Sequence, residues 1–168
     1  MRHRLDAATR TGNGSFGRRT SGLPPAHETI AHGTVVSGSA RHLPDILRLM
    51  KEGAAEGLLV MRTRTEILKD IRRGNCFLYE KQGAVAGMAF LTVYDRRFAE
   101  LRSLYVLREE RSNGAGPSLV RSVSKRAAEL GIAEVMVITT PDRTDWFRKH
   151  GFGTEAHGFK VAMFANAD

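Results

Sequence analysis

One α/β domain organised on a mixed sheet is the fold class predicted for this chain, and three observations predict it. Extended and helical patterns follow one another in the order β-α-α-β-β-β-α-β-α-β. The apolar run Leu104-Tyr-Val-Leu107 feeds a glycine-rich turn, Arg111-Ser-Asn-Gly-Ala-Gly116, and a helical pattern opens at once with Pro117. Val135-Met-Val-Ile138 is unbroken and apolar, as expected of a strand buried on both faces. With 168 residues the chain can bury one substantial core but has no room for two comfortable domains.

Each element has its own local reason. Residues 1–32 combine Gly, Arg, Ser and Thr with Pro24-Pro25 and lack apolar periodicity, so a mobile basic tail is expected there. A transit peptide or a misassigned start are other readings of the same Arg-rich stretch. The folded domain is expected over residues 33–168, with residues 34–39 as its first strand. Leu43, Ile46, Leu47 and Met50 recur at helical spacing, and Gly53 and Gly57 are expected to close that helix. Thr63-Arg-Thr-Glu66 is a capping box, in which each side chain satisfies a backbone N–H at the helix start, with Ile67, Leu68 and Ile71 turned inward. Residues 76–80 and 85–94 form a hairpin about Gln82-Gly83. Asp95-Arg-Arg97 turns the chain into a strand over 99–107. Leu119, Val120, Val123, Ala127 and Leu130 then line one side of a helix that Gly131 stops. A short helix over 145–150 ends at Gly151, with His150 as its closing polar residue, and 159–165 is the last strand.

Composition narrows the function classes. No apolar stretch approaches the roughly 20 residues of a membrane-spanning helix. The single Cys76 excludes an intramolecular disulfide framework and a multi-cysteine zinc site, and suits a reducing, cytoplasmic setting. It lies in the apolar run Cys76-Phe-Leu-Tyr79, which reads as packing. No metal is expected. The net charge of +8 invites a nucleic-acid reading, but its distribution does not favour one. Five Arg against Asp6 and Glu28 put a surplus of three in residues 1–32, and the remaining five are spread through the body.

The glycine turn carries the chemistry. A strand, a short turn and a helix start aim unpaired N–H groups at one point, with the positive end of the helix dipole behind them. Without Gly-Lys-Ser/Thr the turn is not a nucleotide P-loop, and Leu119 leaves the dinucleotide fingerprint incomplete. What remains, Arg-x-x-Gly-x-Gly, resembles the pyrophosphate loop of the GNAT acetyltransferase superfamily, which holds the diphosphate of acetyl-coenzyme A. The resemblance covers roughly residues 34–165 and includes the element order. Within the superfamily, three regions are similar to the acetyltransferase domain of N-acetylglutamate synthases. They are Glu56-Gly-Leu-Leu-Val-Met-Arg-Thr-Arg64, Glu100-Leu-Arg-Ser-Leu-Tyr-Val106, and Val137-Ile-Thr-Thr140 with Trp146-Phe-Arg-Lys-His-Gly-Phe152. Trp146-Phe147 stands where many relatives have Phe-Tyr, the Tyr serving as acid. Four departures accompany the likeness: no kinase-like segment upstream, which implies the short stand-alone form; a brief C-terminus; Pro117 in place of a loop amide; and Arg108 where Pro is usual.

The resemblance implies acetyl-CoA as cosubstrate and an amino acid such as glutamate as acceptor, in arginine synthesis. It implies that Arg111, Ser112, Asn113, Gly114, Ala115 and Gly116 hold the diphosphate, while Leu104, Tyr105 and Val106 run beside the pantetheine arm. The N–H of Val106 is then the oxyanion donor and Glu100 the general base. For Glu100 a salt bridge to Arg96, Arg97 or Arg102 is the competing reading. Thr139, beside Thr140, matches the hydroxyl-bearing position of the synthases, with Tyr105 as an alternative acid. Arg62, Arg64 and Arg102 are the carboxylate readers, since an Arg fork matches a carboxylate. A second copy of the chain is a further candidate partner. Other acceptors, a polyamine or a protein lysine, and a non-catalytic acyl-CoA-binding module are alternative readings.

Overall fold

The computed structural model describes residues 33–156 and 161–166. The segment 1–32, and with it the expected tail, lies outside the described residues, as does the start of the last expected strand. The strands are β1 (Thr34–Ser37), β2 (Cys76–Lys81), β3 (Ala84–Val93), β4 (Phe98–Val106), β5 (Glu134–Thr139), β6 (Thr154–Ala156) and β7 (Val161–Asn166). The helices are α1 (Leu43–Ala55), α2 (Arg64–Arg72), α3 (Ala115–Glu129) and α4 (Thr144–Arg148). The order matches the sequence reading, with the short β6 added before the last strand.

The strands form one sheet in the order β1-β2-β3-β4-β5-β7-β6. Every neighbouring pair is antiparallel except β4 and β5, which α3 joins as a parallel crossover. Each sheet face carries its own core. Ile46, Leu49 and Met50 of α1 and Ile67 of α2 pack with Leu78, Met88 and Phe90 on one face. Leu119, Val120, Val123 and Ala127 of α3 pack with Ala89, Leu91, Ala99 and Leu101 on the other. Helix α2 starts at the expected box: Glu66 N–H donates to Thr63 Oγ1 at 3.3 Å, and Thr63 N–H donates to Glu66 Oε2 at 2.8 Å.

Five details differ from expectation. Gly53 does not end α1 but lies inside it, because Leu59 and Tyr105 close on that point; a Cβ there would come within 2.7 Å of Leu59 Cδ1. Leu68 and Ile71 are only half-buried, since Asp70 rather than an apolar residue takes the inward position next to Ile67. Leu130, expected inward, is exposed because α3 has already ended at Glu129. Strand β5 is not buried on both faces: Val135, Val137 and Thr139 are covered on the α3 side, while Ile138 on the opposite face is 48% exposed. Helix α4 stops at Arg148, leaving His150 past its end with its ring 4.2 Å from that of Trp146.

One irregularity positions the site. In β4, Ser103 takes φ 52, and the register with β3 slips by one between Met88↔Tyr105 and Phe90↔Arg102. This is a β-bulge, which bends the strand and increases its twist. On its other side, β4 pairs with β5 only from Phe98↔Glu134 to Glu100↔Met136. Past Glu100 the two parallel strands part, and the β4 edge is left unpaired up to the turn that starts α3.

Candidate active site

The glycine turn forms a bare amide cradle. Ser112 and Gly114 both take positive φ, 70 and 81, on either side of Asn113. The N–H groups of Ser112, Asn113, Gly114, Ala115 and Gly116 make no hydrogen bond among the described residues, and α3 makes its first bond only at Ser118, to the Gly114 carbonyl at 3.1 Å. Pro117 has no N–H to add. Gly114 is a glycine for its left-handed backbone. Gly116 is one for space: a Cβ there would come within 3.1 Å of Trp146 Cζ2, the contact by which α4 packs on the start of α3. Five unsatisfied donors with a 15-residue helix behind them make a site for an anion.

The unpaired β4 edge runs into this cradle. Leu107 N–H donates to the Ala86 carbonyl at 2.9 Å, so in the alternating ladder Tyr105 also faces β3. The N–H and C=O of Leu104 and Val106 therefore point the other way, into the gap beside β5. The main-chain polar groups of Tyr105 are turned away from that gap. Its side chain goes to the α1 face, where the hydroxyl donates to Glu56 Oε1 at 2.7 Å. Burial, then the bond to Glu56, pushes the phenol up to about 12.

Glu56 organises the junction, and sequence reading missed it. Its other oxygen accepts from Arg111 Nη2 at 2.9 Å, while Arg111 Nε donates to the Val106 carbonyl at 3.0 Å and the guanidinium lies 5.5 Å from the Tyr105 ring centroid. Arg111 thus braces the turn against the end of β4 rather than reaching into the cradle. Arg108, in the place where Pro is usual, adds a weaker contact to Glu56 at 3.5 Å. Lys81 holds Glu110 at 2.9 Å, and Glu110 accepts from Asn113 Nδ2 at 3.3 Å, tying the β2–β3 hairpin to the same turn. The contacts of Glu56 and of Lys81 join residues far apart in the chain, so no spacing signal announces them.

Glu100, Arg102 and Arg62 come together on the α1–α2 face of the sheet. Glu100 is buried, and its Oε2 lies 3.6 Å from Arg102 Nε and accepts a hydrogen bond from the Tyr94 hydroxyl. Of the three salt-bridge partners expected for Glu100, the structure selects Arg102, whose side chain is 33% exposed. Arg62 is 8% exposed, stacks at 4.9 Å over Phe90 and pairs with Asp70 at 2.6 Å. Its Nε and Nη1 are buried without a partner among the described residues. Arg64, the first residue of α2, is exposed and makes no hydrogen bond or ion pair among the described residues.

Thr139 is not brought to Glu100. It alternates with Val135 and Val137 on the α3 face, whereas Glu100 shares the opposite face with Met136 and Ile138. Its hydroxyl makes no hydrogen bond among the described residues. Cys76 is fully buried, and burial pushes its thiol up to about 12, which suits packing. Among the described residues no cluster of His, Cys, Asp and Glu could hold a metal ion, and no helix is long and apolar enough to cross a membrane.

A mixed sheet opened between two parallel strands, with an amide cradle at the mouth, defines the class. The Acetyltransferase (GNAT) family model matches residues 46–155, and the chain belongs to this family. The chain is 30% identical over 121 residues to an amino-acid acetyltransferase of Pasteurella multocida, covering 71% of this chain and 27% of the relative. It thus spans about a quarter of the length of such relatives. An N-acetyltransferase of Chlorobaculum tepidum is 30% identical over 130 residues, 77% of this chain and 78% of that protein. Among solved structures, the N-acetylglutamate synthase of Neisseria gonorrhoeae, complexed with coenzyme A and N-acetyl-glutamate, has a TM-score of 0.72 at 20% identity, over 82% of this chain and 36% of that one. A Mycobacterium tuberculosis protein in complex with CoA has a TM-score of 0.70 at 20% identity, over 79% and 98%.

Proposed function

We propose that this chain transfers the acetyl group of acetyl-CoA to the amine of a small amino acid carrying carboxylates, L-glutamate being the leading acceptor, as in the first step of arginine synthesis. The observation that carries the reading is the unpaired β4 edge, which runs from Glu100 into five free amides. The amino-acid acetyltransferases among the relatives support the acceptor class.

In this reading the Ser112–Gly116 amides take the diphosphate, and Leu104 offers its main-chain N–H and C=O to the pantetheine amides. Arg111 holds the turn in register with the strand. The Val106 N–H faces the gap and donates to the thioester oxygen as it becomes an oxyanion; a fixed donor of this kind is worth roughly 3–4 kcal/mol in a dry site. An α-amine is mostly protonated at neutral pH, with a pKa of about 8, so a base is needed. Glu100 takes that proton, directly or through a water, and the amine nitrogen bonds to the thioester carbon. When the C–S bond breaks, the nitrogen gives up its second proton as the neutral amide forms, and the Thr139 hydroxyl relays that proton to the departing thiolate. Tyr105, bonded to Glu56 and titrating high, is the weaker candidate for that role. Arg102 meets an acceptor carboxylate, with Arg64 at the rim.

Arg62 sustains a second reading. With Nη2 engaged by Asp70 it forms a near-neutral pair, which weakens its attraction for an acidic acceptor and leaves a neutral small amine or a protein lysine as the alternative. Thiol release from acetyl-CoA, measured across amino acids, polyamines and a lysine peptide, separates the two. Turnover with glutamate and none with polyamines is expected; the reverse overturns the carboxylate reading.

A further inference from the structure

Resting on the reading of Glu100 as the base, we infer that Tyr94 is the positioning residue that orients it, holding one carboxylate oxygen so that the other receives the proton of the acceptor amine. Tyr94 follows the last residue of β3, and its N–H donates to the Phe98 carbonyl at 3.1 Å. Thr92 stands opposite Glu100 in the same ladder. Tyr94 is therefore the diagonal cross-strand neighbour of Glu100 on the same sheet face, within reach of an aromatic side chain. The Asp95 carboxylate accepts from the N–H groups of Arg97 and Phe98 at 2.6 and 2.8 Å, which pins the connecting turn and with it this register.

The contacts on the carboxylate are one-sided. The Tyr94 hydroxyl and Arg102 Nε both address Oε2, and Oε1 has no partner among the described residues. A glutamate head rotates broadly about its last torsion. A donor fixed to one oxygen removes that freedom and presents the other lone pairs in one direction, the kind of alignment on which proton transfer depends. Tyr94 is suited to remain a donor, because burial and the bond to Glu100 raise its phenol above the usual range and keep it protonated at working pH. Tyr94 as a whole residue is 55% exposed and belongs to neither core cluster, so replacing the hydroxyl alone leaves the core untouched.

A double-mutant cycle of Tyr94→Phe and Glu100→Gln on the full chain, with acetyl-CoA and the best acceptor of the panel, tests the inference. Tyr94→Phe is expected to lower kcat by about tenfold, with KM for acetyl-CoA and the melting temperature unchanged. In the Glu100→Gln background the same change should alter kcat by less than about twofold, because the group it orients is gone. Wild-type kcat in Tyr94→Phe alongside a crippled Glu100→Gln overturns the role of Tyr94 and leaves the base standing. An equal loss from Tyr94→Phe in both backgrounds also overturns it, showing that the hydroxyl acts elsewhere. Wild-type kcat in Glu100→Gln removes the base itself.

Discussion

Arg62 and Asp70 form an ion pair closed inside the fold. Their side chains are 4% and 6% exposed, and Thr92 Oγ1 adds a long contact to the same Asp70 oxygen at 3.5 Å. A buried pair is weak evidence for net stability, but removing one partner strands the other charge. Asp70→Asn should therefore lower the unfolding free energy by about 3–5 kcal/mol in urea titration, and replacing both residues by Leu should cost less than that single change. An Asp70→Asn variant as stable as the parent would show that the pair is not closed off from water. Arg62 was legible as an arginine beside a capping box; that its fork faces Asp70 was not, because the pairing depends on how α2 rolls on the sheet.

At the scale of elements, two joints can be tested apart. The Thr63 cap is local: Thr63→Ala should cost about 1 kcal/mol with coenzyme binding unchanged. The joint between α3 and α4 is not local. Gly116→Val would drive its side chain into Trp146, so the start of α3 must shift away from the end of β4. Coenzyme A affinity, read by calorimetry, should fall at least tenfold in that variant, about 1.4 kcal/mol or more. Retained affinity would separate the cradle from the α4 contact. The glycine turn itself was readable from six residues, since a strand, a left-handed position and a helix start each leave a local mark. The β4 bulge left none: Ser103 is an ordinary strand residue until β3 imposes the register on one side and β5 diverges on the other.

Across the whole molecule, titrating groups set two pH limits. Glu56 is held below its ordinary value of 4.5, first by the Tyr105 hydroxyl and then by Arg111; Glu66 is lowered by the Thr63 N–H and hydroxyl, and Glu110 by Lys81. A depressed carboxyl adds stability above its unfolded pKa, and that stability is lost as pH falls through the folded value. The urea midpoint should accordingly drop as pH goes below about 4.5, and less steeply in Glu56→Gln. Cys76 and Tyr105 behave oppositely. Both are pushed up to about 12, from 9.0 and 10.0, so their contribution is complete below pH 9 and disappears as pH climbs towards 12. Alkaline unfolding in that window should be less steep in Cys76→Ala. A midpoint flat from pH 9 to 12 would mean that neither group is shielded.

Hairpin, capping box and amide turn were legible in the sequence because each rests on residues within one or two turns of each other, and chain order and family followed from reading such local marks in succession along the chain. Glu100 was legible too as a notable carboxylate, although not its neighbours. The tertiary structure decided the rest: the one-sided burial of β5, the brace of Glu56 and Arg111, the closure of Arg62 on Asp70, the hold of Tyr94 on Glu100, and the separation of Thr139 from that carboxylate. The physical reason is tertiary packing. Partners on the strands depend on register, those of Glu56 and Arg62 depend on how the helices and turns seat on the sheet, and packing two cores at once settles both, which no short stretch of chain encodes.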